Sequence, residues 1–114
     1  MQYPVFNEPE AMDRIGDPDL LKELLVDFSQ MKELDWQVFD RLIAEKNFTE
    51  IEHVSHSIKG VAGNLSLIAI YRVATELNNT VKLKEIDLLK RHYELLRQEV
   101  ERFLAWLPGY LANK

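Results

Sequence analysis

Ile51-Glu52-His53-Val54-Ser55-His56-Ser57-Ile58-Lys59-Gly60-Val61-Ala62-Gly63-Asn64-Leu65 carries apolar side chains at Ile51, Val54, Ile58, Val61 and Leu65. That 3-4-3-4 spacing is the stripe of an amphipathic α-helix, not the period-2 alternation of a strand. At about 100° per residue, His56 falls roughly opposite the stripe, so its imidazole points away from a core. Lys59, Gly60 and Gly63 share that outer face. Each helix-interior glycine costs about 1 kcal/mol relative to alanine. Two of them beside an outward histidine mark a helix built for close approach by another molecule.

The same period continues on both sides of this stretch. After a bend at Ser66, Leu67, Ile70, Ala74, Leu77 and Val81 predict a helix over about 67–82. Ile86, Leu89, Tyr93, Leu96, Val100, Phe103 and Leu107 form an unbroken series over 85–107, with Pro108-Gly109 expected to end it. Upstream, Leu21, Leu24, Leu25, Phe28 and Met31, then Val38, Phe39, Leu42 and Ile43, predict one long helix over 18–46. Its register falters at Asp35, which places a kink or split near 32–36. Asn47 and Thr49 supply the stop and the next start, so the histidine helix covers about 49–65.

Asn7-Glu8-Pro9-Glu10 reads as a capping box with proline in the first turn, opening a short helix over 8–15 that ends at Gly16. Asp17-Pro18 repeats that start signal. With no strand pattern and only short connections, the expected fold is all-α. It is an antiparallel up-down four-helix bundle with a short additional N-terminal helix, forming a single domain over 1–114.

Composition narrows the function. With 46% hydrophobic and 29% charged residues, the 114-residue chain is globular rather than disordered. A net charge of −5 argues against nucleic acid as a partner. The absence of cysteine excludes disulfides and thiolate sites. Met1 to Asn7 show neither the basic nor the apolar region of a secretory signal, and no apolar run approaches the ~20 residues of a membrane span. A cytoplasmic protein without direct membrane insertion is expected, either free-standing or as one module of a longer membrane-anchored chain.

An exposed imidazole can act as nucleophile, base or ligand. Lys59, at i+3, places an ammonium within reach of whatever binds that ring and can offset a phosphoryl charge as a mobile point charge. Gly60, at i+4, leaves the neighbouring surface bare. Gly60 and Gly63 have a second reading, as close-packing contacts between helices. Glu50-x-x-His53 is the unit found in di-iron bundles, but Leu89 stands three residues before His92, so the second copy is missing. A metal-binding bundle and a non-catalytic helical adaptor stand as alternatives. The few glycines form no nucleotide loop, so no ATP site and no autonomous kinase activity are expected.

His56-Ser57-Ile58-Lys59-Gly60 followed by Gly63-Asn64-Leu65 resembles the histidine-containing phosphotransfer (HPt) domains of bacterial two-component phosphorelays, whose pattern is His-x-x-Lys-Gly on a bundle helix. Phe6 to Gly16, and Asp17-Pro18-Asp19-Leu20-Leu21 with Leu24, Leu25 and Phe28, look like that family's opening helices. The resemblance implies that His56 accepts a phosphoryl group from a receiver-domain aspartyl phosphate and passes it to another receiver. It also implies charge support from Lys59 and docking clearance at Gly60 and Gly63.

By the same resemblance, Asn78 falls where members place a polar residue bonded to the imidazole, and Lys82 where a second basic residue is found. The implied partners are response-regulator receivers and a hybrid sensor kinase, with the chain a monomer. No cofactor of its own and no metal site are implied, and Mg²⁺ belongs to the receiver. Three departures concern the docking geometry: Ser66 replaces the usual glycine, Leu77-Asn78 the usual Leu-Glu, and the second helix lacks the proline often found near its middle.

Overall fold

The computed structural model describes residues 2–113. Six helices follow one another: α1 (Glu8–Ile15), α2 (Pro18–Ser29), α3 (Trp36–Ala44), α4 (Phe48–Asn64), α5 (Ile68–Val81) and α6 (Ile86–Ala112). A single 3-10 turn, Lys32–Leu34, links α2 to α3. The fold is an all-helical bundle. α2 and α3 together make one arm, and α4, α5 and α6 make the other three.

The arm expected as one helix over 18–46 is broken. Asp35 has an extended backbone (φ −78°, ψ 102°), and its side chain accepts from the N–H groups of Gln37 (3.0 Å) and Val38 (3.3 Å). It is the N-cap of a new helix, satisfying two donors that a helix start leaves unpaired. The break resets the helical phase, so Phe39 and Ile43 reach the same core as Leu21, Leu25 and Phe28. The first turn of the chain follows the capping logic: Asn7 accepts from Glu10 N–H, and Gly16 closes α1 at φ 76°.

α6 overruns its expected end at 107 and continues through Pro108 to Ala112. Proline has no N–H for the carbonyl of Leu104, but that residue faces solvent, so no buried acceptor is orphaned. The extra turn is held from outside: the Tyr110 ring stacks on Trp106 at 4.9 Å and packs against Phe6 at 5.2 Å. Its hydroxyl donates to Glu8 at 2.6 Å. Burial and that carboxylate push the Tyr110 phenol up to about 12.

Aromatic and polar contacts tie the broken arm to α6. Phe28 meets Phe103 edge-on at 5.5 Å, and the Tyr93 hydroxyl donates to Asp40 at 2.6 Å. Burial and the Asp40 charge hold the Tyr93 phenol above its usual range. No helix of the described chain is long and apolar enough to cross a membrane.

Candidate functional site

α4 positions the site. Ile51, Ser55, Ile58 and Ala62 form its buried face, and His56, Gly60 and Asn64 lie on the exposed one. The His56 imidazole enters none of the side-chain hydrogen bonds or ion pairs found among the described residues, so both ring nitrogens are free. Lys59 is half-buried, which fits an aliphatic stem lying along the helix with its ammonium outward. A Cβ added at Gly60 would meet nothing within 4 Å. The strip beside His56 is therefore open backbone.

Gly63 does something else. A Cβ there would approach Cδ1 and Cε1 of Tyr71 at 3.1 Å. Here the missing side chain makes room for the Tyr71 ring of α5, which is the close-packing reading of this glycine. His56, Lys59, Gly60, Gly63, Tyr71 and Arg72 border one shallow groove of about 530 Å³. Arg72 lies over the Tyr3 ring at 5.0 Å.

The far end of that groove is bordered by Arg14, which the sequence did not single out, together with Glu10 and Ser66. Arg14 of α1 donates to the carbonyls of Gly63 (2.9 Å) and Asn64 (3.1 Å), and also to Ser66 Oγ and Glu10. A cation on the last carbonyls of α4 complements the negative end of the helix dipole. The Ser66 hydroxyl donates to Glu10 at 2.8 Å. That hydroxyl first, and the Arg14 guanidinium second, hold the Glu10 carboxyl below its ordinary value. No local pattern announces the cluster, because its members lie some fifty residues apart.

Neither Asn78 nor Lys82 forms a hydrogen bond to the imidazole among the described residues. The Asn78 amide nitrogen, on buried α5, donates to Glu52 O (3.1 Å) and Ser55 Oγ (3.0 Å). α4 and α5 run antiparallel, with Tyr71 at Gly63 and Asn78 at Ser55 and Glu52. Lys82, one turn beyond Asn78, is the exposed C-cap residue of α5. His53 pairs loosely with Glu50 at 3.7 Å on the surface. His92 lies on α6, with Nδ1 2.6 Å from Thr80 Oγ1. No three metal-ligating groups converge among the described residues.

The helical bundle thus presents His56 unpaired beside Lys59 and the bare turn at Gly60. The Hpt domain family model matches residues 23–106, which is most of the chain, and the protein belongs to that family. Hpt domains perform histidine phosphotransfer in phosphorelays and interact with receiver domains and kinases. No curated protein and no solved structure matches the chain.

Proposed function

We propose that His56 is the phosphoacceptor of this domain, taking a phosphoryl group from a receiver-domain aspartyl phosphate and returning it to another receiver. The carrying observation is the exposed, unpaired imidazole on α4 with open backbone at Gly60. A ring-nitrogen lone pair attacks phosphorus in line as the aspartyl P–O bond breaks. The aspartate leaves as a carboxylate, and the proton on the second ring nitrogen is released to solvent. Lys59 offsets the charge added to the ring. Mg²⁺ is assigned to the receiver, where it neutralises charge on the transferring group. Gly60 lets the receiver approach the helix closely.

The test is incubation with a phosphorylated receiver. Acid-labile, alkali-stable label on the wild-type chain and none on His56→Gln is the expected result. Equal labelling of the two proteins rules His56 out. The adaptor reading makes the opposite forecast, that His56→Gln retains every activity.

A further inference from the structure

We propose that Asn78 is a positioning residue for His56, acting through the backbone of α4 and not on the imidazole; the inference rests on the phosphotransfer reading above. Asn78 is 6% exposed and Ser55 fully buried. The Asn78 amide uses its two N–H groups on Glu52 O (3.1 Å) and Ser55 Oγ (3.0 Å), while the Ser55 hydroxyl donates to the same Glu52 carbonyl (3.1 Å). The three groups close a ring. Its shared acceptor is the carbonyl that also takes the helical N–H of His56, four residues on. The bridge from α5 is therefore fastened directly beneath the reactive residue's own backbone.

The surroundings explain why a polar ring is needed. Ile51, Ile58 and Ala62 on α4 and Ala74, Leu77 and Val81 on α5 are all buried in the apolar core. Apolar contact is non-directional, so such faces tolerate sliding or rotation. A shift of one turn moves a residue about 5.4 Å. It would also leave the Asn78 amide buried without acceptors, a penalty on the order of 1–3 kcal/mol. The ring thus selects one register and one rotation of α4, as single buried polar residues do in coiled coils. Transfer between two proteins is sensitive to such settings, since a misplacement of ~1 Å can cost about 10²-fold in rate.

The experiment compares the wild-type chain with the paired variant Ser55→Ala/Asn78→Leu, which removes both polar side chains and so leaves no buried donor unpaired. Three readouts are taken on each: His56 labelling by phosphoramidate, transfer from a phosphorylated receiver, and hydrogen exchange of the His56 amide. The expected result is a folded variant with phosphoramidate labelling within about twofold of wild type. Receiver transfer falls about tenfold or more, and the His56 amide exchanges faster. A folded variant that matches wild type in receiver transfer overturns the proposal. Should the paired variant unfold, Asn78→Ala, which keeps Ser55 bonded to Glu52, is held to the same two outcomes. A wild-type chain that neither donor labels at His56 defeats the phosphotransfer reading itself, which separates the two failures.

Discussion

Gly63 and the Tyr71 ring are a matched pair: a Cβ on Gly63 would stand 3.1 Å from two atoms of that ring, while the same atom on Gly60 would meet nothing within 4 Å. Alanine at a helix-interior glycine gains about 1 kcal/mol from propensity alone. Gly60→Ala should realise that gain in a urea titration. Gly63→Ala should gain less, because Tyr71 must give way by a few tenths of an ångström. In a Tyr71→Ala background the two substitutions should become equivalent. A difference that survives there assigns the strain to some other neighbour.

Open space at Gly60 has a functional counterpart. Gly60→Trp should fold with the circular dichroism of wild type and keep phosphoramidate labelling of His56, while transfer from a receiver falls by about 10²-fold through lost approach. Normal receiver transfer in Gly60→Trp would show that the partner does not approach over this turn.

Lys59 is the one cation within a helical turn of His56 on the exposed face. In a half-exposed setting one charge contributes on the order of 1 kcal/mol, or about fivefold in rate. Lys59→Ala should therefore leave the melting temperature unchanged and slow transfer or shorten the phosphohistidine lifetime by about that factor. The wild-type rate should fall towards the variant's as salt is raised. Identical kinetics at low salt would remove Lys59 from the mechanism.

What was legible in the sequence, and what was not, divides by range. The stripes of α4, α5 and α6, the caps at Asn7 and Asp17, and the outward face of His56 are all local. A residue's phase on its own helix needs only the 3.6 period. The split at Asp35 was visible only as a fault in the stripe, although an aspartate two and three residues before free N–H groups is a capping signal. The run of α6 past Pro108 depends on Phe6 and Glu8, a hundred residues away, and tertiary contact overrode the local breaker. The target of Asn78 depends on how α5 is rotated against α4. No pattern within α5 encodes that rotation, so an amide expected on the imidazole sits beneath the backbone instead.

Ser66 offers the sharpest separation of backbone from side-chain effects. It sits just past α4 at φ 54°, where its N–H bonds to Gly63 O and the Leu67 N–H to Ala62 O, the paired bonds of a helix stop that favours glycine. Serine accepts the left-handed backbone there while its hydroxyl bonds to Glu10 and receives Arg14. Ser66→Ala and Ser66→Gly both lose that hydroxyl, so the difference between them reports the backbone alone, about 1 kcal/mol in favour of glycine. The difference between wild type and Ser66→Ala reports the hydroxyl, and it should depend on pH. Glu10 has a folded pKa below its ordinary 4.5, so its contribution is complete above that value and disappears as pH falls through the lowered one. Urea titrations should show wild type ahead of Ser66→Ala at pH 7 and the gap closing as pH falls below the ordinary 4.5 and through the lowered value. Glu10→Gln should flatten the same limb. A gap of constant size from pH 7 to pH 3 would show that the hydroxyl acts through Arg14 and the backbone, with the carboxylate a bystander.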